Sequence, residues 1–555
     1  MTNHGKLRTI NTIAGWIAIA LLAGIVVIVP SVIKTNMVVH EFAGERVLLY
    51  SSTSFKQAWN HTWGGSSDDF AQAATNDNAG NGYIAGATES FGPSSENAFF
   101  ARYDSSGKQT LNRTWGISGK TFEVWGITVD DKGNIYVTGL NATGSIESAF
   151  VFKFDSTGTQ MWNETWGHTG ITVGYGITVD GNGNVYMAAT TNVKTAGGYD
   201  ALVAKYSSTG MLDWNHTWGG TNDDNGQGIG VDASDNVYIT GATKSFGDPT
   251  HGDAFIAKFT STGSLLWNHT WGGANYDYGY SIAVNASENA WITGYTMSFG
   301  AGSDDAFLVS YNSAGTQLWN RTWGYSGSAE NGIGVAVDGS GNAYITGDMN
   351  HIPLHNFDVF LAKYDPAGTQ LWNCTWGGTG ADSGYGVGVD PSGTIIVGGY
   401  TNSFGAKGED ALILKYIQPP VAPVLASISS PSTTGNIALS WSIISSATNY
   451  SVYRATSTIT SVAFLTPITT GLTATTYADN GLENGMYYYV VIATNSIGSS
   501  PISNCEAVTV AISPSIPSPP GIPGYLVSCI MASIAPAVVI LMVKHRRAIC
   551  SHQAT

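Results

Sequence analysis

The sequence predicts an all-β chain whose central part is a seven-bladed β-propeller. Three observations carry this prediction. A unit of 51–53 residues recurs seven times, and it contains four strand-like segments, with seven copies of each in all. One copy of the outer segment precedes the first inner segment, and the repeat region ends without an outer segment. Composition agrees, because 69 glycines, 11% aromatic residues and only 11% charged residues are typical of many short strands joined by tight turns.

The repeat is marked by the motif W-N-x-T-W-G. Six copies and a degenerate seventh begin at Trp59, Leu111 (the degenerate copy), Trp162, Trp214, Trp267, Trp319 and Trp372. Three more segments follow in fixed order, clearest in the fourth unit at 228–232, 236–241 and 253–259. Each is short, β-branched or aromatic, and bounded by turn residues, as strands are. Four strands in about 50 residues is what a propeller blade requires.

The connectors predict the arrangement within a blade. Segments 232–236 and 260–263 are tight hairpin turns, whereas the other two connectors are longer and vary between units. With the W-N-x-T-W strand outermost, both long loops lie on one face and both tight turns on the other. The first outer strand, 59–63, precedes the first inner strand, and the last unit ends at 410–416 without one. We therefore expect the N-terminal strand to complete the seventh blade and close the ring.

The pattern I-x-V-D-x-x-G-N-x-Y-I-T-G-x-T, with D-A-F-L-A-K-Y downstream, resembles the SBBP (seven-bladed β-propeller) repeat family over roughly residues 57–416. The resemblance implies the propeller fold, which we place at 57–417. It says little about function, because the family is known mainly as propeller modules of surface and secreted proteins. The chain departs from the pattern at Asn285, where most units carry Asp, and in the first unit, where 78–82 replaces the usual turn.

A second module is predicted at 419–512, where the composition changes after Gln418. It resembles a fibronectin type III domain, which implies a β-sandwich with Trp441 in its core and Tyr487 in the tyrosine-corner strand. The segment 513–524 carries five prolines and predicts an extended stalk.

Two apolar stretches predict flanking transmembrane helices. Residues 13–33 carry no charge and follow Lys6 and Arg8, which predicts a signal anchor with a cytoplasmic N-terminus at 1–12. A cleaved signal peptide is the alternative. Residues 525–543 precede a basic cluster and predict a second helix, with a cytoplasmic tail at 544–555. On this interpretation the protein lies in the cell membrane, with about residues 35–523 extracellular.

Charge and motifs exclude several classes of function. A net charge of −16 leaves no basic footprint for nucleic acid. The four cysteines form no metal-binding or disulfide pattern. His61, His216 and His269 occupy one repeat position in three different blades, so the fold holds them apart. With no G-x-S-x-G, H-E-x-x-H or P-loop motif either, we expect no enzyme activity.

Sequons recur once per blade on the predicted outer strand. These candidate glycosylation sites are Asn60, Asn112, Asn163, Asn215, Asn268, Asn320 and Asn373, with Asn141, Asn285 and Asn449 elsewhere. They predict a glycan belt around the rim of an exported chain. The alternative is that Asn and Thr simply form the polar face of a repeated strand.

The long-loop face gathers acidic and aromatic side chains, which makes it the candidate ligand-binding face. One loop set supplies Asp68, Asp69, Asp223, Asp224, Asp277 and Asp382. The other supplies Phe91, Phe246, Phe299, Phe404 and Asp304. This combination suits a glycan or protein ligand bound with the help of a cation, for which Ca²⁺ is the candidate; no other cofactor is predicted. The alternative is that the Asp residues are turn residues and the Phe residues pack inward.

The favoured hypothesis is a membrane-anchored extracellular recognition or adhesion protein, whose propeller presents a binding face to a cell-surface glycan or protein partner. One alternative is a structural, glycosylated cell-envelope spacer without a specific ligand. Another is a propeller hydrolase or lyase, for which residues 347–358 of the sixth unit are the place to seek divergent catalytic groups.

Overall fold

The computed structural model describes residues 36–42, 45–51, 55–167, 169–193, 195, 197–351, 356–444 and 446–513. Every regular element among them is a β-strand. At the N-terminus, β1 (Asn36–Phe42) and β2 (Glu45–Ser51) form an antiparallel hairpin. The next strand, β3 (Lys56–Trp63), belongs to the propeller.

Seven four-stranded antiparallel sheets form the blades. Blade 1 contains Asp69–Asn76 (β4), Gly82–Thr88 (β5), Asn97–Tyr103 (β6) and Gln109–Trp115 (β7). Blade 2 contains Thr121–Val129 (β8), Ile135–Thr143 (β9), Ile146–Phe154 (β10) and Gln160–Trp166 (β11). Blade 3 contains Thr172–Val179 (β12), Val185–Thr191 (β13), Asp200–Tyr206 (β14) and Leu212–Trp218 (β15). Blade 4 contains Asp224–Val231 (β16), Val237–Thr243 (β17), Asp253–Phe259 (β18) and Leu265–Trp271 (β19).

The remaining three blades repeat this order. Blade 5 contains Asp277–Val284 (β20), Ala290–Thr296 (β21), Asp305–Tyr311 (β22) and Gln317–Trp323 (β23). Blade 6 contains Glu330–Val337 (β24), Ala343–His351 (β25), Asn356–Tyr364 (β26) and Gln370–Trp376 (β27). Blade 7 contains Asp382–Val389 (β28), Ile395–Thr401 (β29), Asp410–Ile417 (β30) and, from the N-terminal end, β3.

The first strand of each blade is innermost, and these seven strands contact one another in a ring. The W-N-x-T-W-G strands are outermost. Strand β3 pairs with β30 from Lys56 opposite Ile417 to Trp63 opposite Ala411. The ring therefore closes as the offset of the sequence repeats predicts, and this pairing covers the outer edge of β30.

Aspartate side chains form the tight turns inside the blades. In blade 4, Asp232 Oδ1 accepts hydrogen bonds from the backbone N–H groups of Ser234 and Asn236, both at 2.9 Å. Asp235 in this turn has φ of 61°, in the left-handed region that most other blades fill with glycine, such as Gly183 at 81°. These short-range bonds fix the hairpin register of the first two strands.

The hydrophobic core lies between blades. The tryptophan that ends an outer strand stacks on a phenylalanine of the next blade. Trp63 lies 4.0 Å from Phe99 and Trp218 lies 4.1 Å from Phe255, measured between ring centroids. Burial of large aromatic rings at such contacts supplies much of the cohesion between neighbouring sheets.

The second module consists of two sheets packed on one core. Its strands are Ile437–Ser440 (β31), Asn449–Ala455 (β32), Thr469–Leu472 (β33), Thr476–Asp479 (β34), Gly485–Thr494 (β35) and Glu506–Val510 (β36). One sheet pairs β31 with β34, and the other has the order β33-β32-β35-β36. Trp441 is buried in the shared core beside Tyr450. The hydroxyl of Tyr487 donates to the carbonyl of Glu483 at 3.1 Å, the hydrogen bond expected of a tyrosine corner.

The chain enters and leaves the propeller on the tight-turn face, because β3 begins and β30 ends there. Gln418, directly after β30, is anchored to this face. Its Nε2 donates to the Tyr344 hydroxyl at 3.1 Å and to the Gly393 carbonyl at 2.9 Å. Lys363 donates to its Oε1 at 2.8 Å, and Asn495 of the second module donates to its carbonyl at 2.8 Å. The long-loop face therefore lies on the side of the propeller opposite this junction.

The predicted fold class is wrong in its flanking transmembrane helices. The residues that the structure describes form strands and contain no helix that is long and apolar enough to cross a bilayer. The stretches 13–33 and 525–543, where the helices were predicted, lie outside the described residues. So do the predicted terminal segments 1–12 and 544–555 and all but the first residue of the predicted stalk.

Candidate functional site

Four of the predicted ligand carboxylates are buried at the start of an innermost strand. Asp69, Asp224, Asp277 and Asp382 are at most 1% exposed. Oδ2 of each accepts a hydrogen bond from the backbone N–H of a glycine just after the preceding outer strand, at 2.7–2.8 Å. In three of them Oδ2 also accepts from the serine hydroxyl of an S-F-G motif, at 2.6–2.7 Å. These carboxylates tie the long loops to the blades, and a direct ligand role for them stays a prediction.

The other three predicted carboxylates are half-buried in the same loops. Asp68 accepts from the backbone N–H of Glu409 at 3.0 Å, and Asp223 accepts from that of Tyr199 at 3.1 Å. Both bonds join the loops of neighbouring blades. Burial, with the charge of neighbouring Asp305, raises the pKa of Asp304. The side chains of Asp68 and Asp223 therefore help to order their loops.

The four predicted phenylalanines are exposed at the outer part of the long-loop face. Their exposed fractions are 42–49% for the set Phe91, Phe246, Phe299 and Phe404. Each ring lies 5.1–5.3 Å from the tryptophan that ends an outer strand. The structure therefore places them over the blade joints, away from the propeller axis.

The structure also shows a set of axial residues that sequence analysis missed. The innermost strand of every blade carries a β-bulge near its start. Two rings of side chains line the axial channel there. The ring nearer the long-loop face contains Phe70, Glu123, Val173, Asn225, Tyr278, Asn331 and Ser383. The ring at the bulge contains Gln72, Trp125, Tyr175, Gln227, Tyr280, Ile333 and Tyr385.

Glycines around the bulge allow the innermost strands to approach one another. A Cβ on Gly176 would lie 2.6 Å from the Gln227 carbonyl oxygen of the next blade, and one on Gly386 would lie 2.2 Å from the backbone nitrogen of Ala74. Only glycine fits such backbone contacts. The G-x-G pattern at 174–176, 226–228 and 384–386 is the sequence signal of this arrangement, since its middle residue varies while the glycines recur.

Five tyrosines gather at the long-loop mouth of the channel, and we call them the tyrosine sector: Tyr278, Tyr280, Tyr295, Tyr385 and Tyr400. Ring centroids lie 4.9 Å apart for Tyr278 and Tyr280, and 5.9 Å apart for Tyr280 and Tyr295. Those of Tyr385 and Tyr400 lie 6.0 Å apart. Burial raises the pKa of Tyr280, and Tyr295, Asp348 and Tyr385 raise it further. The sector therefore joins blades 5 and 7, and Asp348 of blade 6 lies close enough to affect the pKa of Tyr280.

Polar groups are built into the tyrosine sector. Asp348 of blade 6 accepts from Asn331 Nδ2 at 2.8 Å and from Ser383 Oγ at 3.1 Å. Burial raises the pKa of Asp348 despite these bonds. Gln227 Nε2 donates to the Tyr278 hydroxyl at 3.0 Å. The sector thus combines aromatic faces with amide, hydroxyl and carboxyl groups.

The opposite side of the mouth is acidic. Burial raises the pKa of Glu96 to about 7, and the charges of Glu123 and Glu89 add to this effect. Burial also raises the pKa of Glu123, with a contribution from Glu147. Neither axial ring contains Lys, Arg or His. The mouth is therefore suited to a neutral or cationic ligand and repels an anionic one.

The histidines of the repeat lie in three separate blades. His61, His216 and His269 each lie 5.2–5.4 Å from a tryptophan of the same strand. Over the described part of the chain, no three His, Cys, Asp or Glu side chains come together as a metal site. The sixth unit carries two more histidines four residues apart, His351 and His355, but His355 and the side chain of His351 lie outside the described residues.

The sequons differ in exposure. Six of the seven on outer strands have an exposed asparagine: Asn60, Asn112, Asn163, Asn215, Asn268 and Asn320. The other four sequon asparagines, Asn373, Asn141, Asn285 and Asn449, are half-buried. The rim is therefore where attached glycans would find room.

The fold defines a β-propeller repeat protein. The sequence profile of the SBBP family, described as "Beta-propeller repeat", matches residues 115–140 and 166–194, and this match supports the propeller family. A WD repeat-containing protein of Acanthamoeba polyphaga mimivirus is 28% identical over 196 residues, which cover 27% of this chain and 14% of that protein. The regulatory protein FlaEY of Caulobacter vibrioides is 27% identical over 115 residues, which cover 18% of this chain and 12% of that protein. The chain thus spans less than one sixth of the length of either relative.

Similar solved structures include the β-propeller domain of the Trilobed protease from Pyrococcus furiosus. It is 9% identical, with a TM-score of 0.37, over 63% of this chain and 96% of that chain. An Fn3-like protein from Clostridium thermocellum is 28% identical, with a TM-score of 0.15, over 17% of this chain and 96% of that chain. These scores add nothing to the architecture described above, and the fibronectin type III assignment of the second module stays a prediction.

Proposed function

We propose that the protein is a non-catalytic recognition protein of the cell exterior, whose propeller binds a neutral glycan at the long-loop mouth of its axial channel. The tyrosine sector carries this proposal. Its aromatic faces can stack on sugar rings, while Asn331 and Asp348 can exchange hydrogen bonds with hydroxyl groups. The lack of basic side chains in the axial rings disfavours phosphorylated, sulfated or nucleic-acid ligands.

The position of the site supports recognition of an external partner. The chain enters and leaves the propeller on the tight-turn face, where Gln418 is anchored. A ligand can therefore approach the long-loop mouth without displacing the second module. The exposed sequons of the rim support placement outside the cytoplasm, in an organism that glycosylates exported proteins.

An array of neutral and acidic oligosaccharides, probed with the full-length protein, tests the proposal. We expect binding to neutral glycans that weakens about tenfold or more for Tyr280→Ala and for Tyr385→Ala. Phe91→Ala and Phe404→Ala are matched controls, because they remove exposed aromatic rings from the outer part of the same face. Binding lost in these controls and kept in the tyrosine variants would move the site to the outer loops.

Two further arms separate the alternatives. Repeating the array with Ca²⁺ and with a chelator tests whether a cation assists binding, as the acidic loops led us to expect. Product analysis of each bound glycan tests for catalysis, and the appearance of new reducing ends would replace the recognition proposal with a hydrolase or lyase. If no glycan on the array binds, a protein partner or a spacer role would replace glycan recognition as the proposed function.

A further inference from the structure

Five of the seven joints between blades contain two carboxyl groups that face each other across a glycine. At the joint of blades 4 and 5, a Cβ on Gly272 would lie 2.2 Å from Asp253 Oδ1 and 2.7 Å from Asp277 Oδ2. Asp253 opens the third strand of blade 4, and Asp277 opens the first strand of blade 5. Equivalent carboxyl oxygens face each other at four other joints. They belong to Asp410 and Asp69 at Gly64, Asp200 and Asp224 at Gly219, Asp305 and Glu330 at Gly324, and Asp358 and Asp382 at Gly377.

Hydrogen bonds within this joint leave two buried carboxylate oxygens, Asp253 Oδ1 and Asp277 Oδ1, without a donor among the described residues. Asp277 Oδ2 accepts from the Gly273 N–H at 2.8 Å and from the Ser298 hydroxyl at 2.7 Å. Asp253 Oδ2 accepts from the Asp248 N–H at 3.0 Å. Asp253 Oδ1, which faces the other carboxyl group, has no hydrogen-bond donor among the described residues, and Asp253 is only 6% exposed. A buried carboxylate oxygen without a donor is strongly disfavoured, and a proton held between the two carboxyl groups would supply one.

The surroundings do not neutralise the charge. The titratable neighbours of the Asp253–Asp277 pair are Asp248, His251, Lys244 and Tyr276. His251 lies 3.6 Å from Asp248, and within the described chain no cation forms an ion pair with either member of the pair. Burial raises the pKa of Asp253, and the charges of Asp277 and Asp248 add to this.

Two other joints show the same effect. Burial raises the pKa of Glu330 to about 7, with contributions from Asp305 and Asp304, and Tyr325 is its other titratable neighbour. Burial likewise raises the pKa of Asp410, with a contribution from Asp69. Asp68 and Glu409 lie beside this last joint and add no positive charge.

The two remaining joints use neutral side chains in the same places. At the joint of blades 1 and 2, Asn97 Oδ1 lies 2.1 Å from the position of a Cβ on Gly116. At the joint of blades 2 and 3, Thr172 occupies this space and Ser148 donates to the Gly167 carbonyl. A neutral hydrogen-bonding group therefore fits the joint, as a protonated carboxyl group would.

We propose that each of the three pairs Asp253–Asp277, Asp305–Glu330 and Asp69–Asp410 holds one proton between its facing oxygens, so that the closed propeller ring is a pH-sensitive device. With the proton in place, the joint is hydrogen-bonded. Without it, two buried carboxylates repel each other across the boundary between blades. Because burial raises the folded-state pKa values of Asp253, Glu330 and Asp410 above the unfolded values near 4, this stabilisation is complete below about pH 4 and is lost as the pH rises through the folded-state pKa values, that of Glu330 being about 7.

Thermal unfolding of the full-length protein between pH 5 and pH 8 tests the proposal against the triple variant Asp253→Asn/Asp305→Asn/Asp410→Asn. An Asn side chain donates an N–H in place of the shared proton at any pH. We expect wild-type stability to fall with rising pH by up to about tenfold in the unfolding constant per pH unit for each retained proton, and the triple variant to lose much of this slope. Asp131→Asn/Asp213→Asn, which changes exposed carboxylates, should keep the wild-type slope.

Parallel pH profiles for wild type and triple variant would overturn the proposal. If the triple variant fails to fold, the single variants Asp253→Asn, Asp305→Asn and Asp410→Asn take its place, and calorimetry in buffers of different ionisation enthalpy compares the protons that each releases on unfolding at pH 6 with those released by the wild type. A smaller release from the single variants supports the proposal, and equal release overturns it. A further measurement compares the thermal stability of the wild type and the triple variant at pH 8 with and without added Ca²⁺. Stabilisation of the wild type by Ca²⁺ that the triple variant lacks would make the pairs cation sites instead.

Discussion

Lys258 Nζ lies 3.2 Å from Asp232 Oδ2 in blade 4, and both side chains are at most 4% exposed. The ammonium group also lies 4.7 Å from the centroid of the Tyr238 ring, whose hydroxyl donates to Asp232. A lysine over a tyrosine recurs in blades 2, 3 and 6. On the tight-turn face, therefore, buried acids have a cation beside them, in contrast to the joints on the long-loop face.

Blade 5 replaces all three members of this arrangement together. Asn285, Trp291 and Ser310 stand at the positions of Asp, Tyr and Lys. Asn285 keeps the turn, because its Oδ1 accepts from the backbone N–H groups of Ser287 and Asn289, both at 3.0 Å. The turn thus depends on an acceptor oxygen, whereas the charge of Asp is matched to the lysine.

The first prediction follows from this replacement. Lys258→Met should lower the free energy of unfolding by about 3–5 kcal/mol, because it leaves the Asp232 carboxylate buried without its cation. The variant Asp232→Asn/Tyr238→Trp/Lys258→Ser, which copies blade 5, should lose much less. Chemical denaturation monitored by tryptophan fluorescence measures both. Equal losses in the two variants would show that packing, and not charge, accounts for the effect.

The sequence predicts the blades but not the candidate site, for a physical reason. Repetition and turn chemistry fix the four strands, the outermost W-N-x-T-W strand and the closing pair of β3 with β30. The axial residues depend on the bulge, which shifts the period-two alternation by one residue within each innermost strand. In the sequence, Tyr280 and Tyr385 therefore cannot be distinguished from ordinary strand residues. Asp69 and Asp277 read as exposed loop acids, because sequence alone does not show the loop that folds over them.

The second prediction tests the close contact of the innermost strands. Gly386→Ala should lower the free energy of unfolding by about 1–3 kcal/mol, because the new methyl group would lie 2.2 Å from the backbone nitrogen of Ala74. Gly181→Ala is the matched control, since a Cβ on this exposed turn glycine meets no atom within 4 Å. The midpoints of denaturant-induced unfolding are compared between the Gly386→Ala and Gly181→Ala variants. Similar midpoints would contradict backbone contact at the axis.

The third prediction concerns glycosylation. In a host that glycosylates secreted proteins, we expect glycans on outer-strand asparagines such as Asn215 and Asn268, whose side chains are exposed. Asn285 should stay largely unmodified, because its side chain is engaged in the turn. Mass spectrometry of glycopeptides measures the occupancy of each site. High occupancy at Asn285 would show that modification precedes folding of this turn.

The fourth prediction concerns pH. Burial raises the pKa of Glu96 to about 7, well above the value of about 4.3 for an unfolded Glu. The folded state therefore favours the protonated form, and the stability that this group contributes is lost as the pH rises between these two values. Glu96→Gln, which is neutral at every pH, should leave the thermal midpoint unchanged near pH 4 and raise it relative to wild type at pH 8. Glu164→Gln, on an exposed outer strand, should show no such difference. If Glu96→Gln shifted the midpoint equally at both pH values, its effect would come from packing, and the acidic side of the mouth would be charged throughout this range.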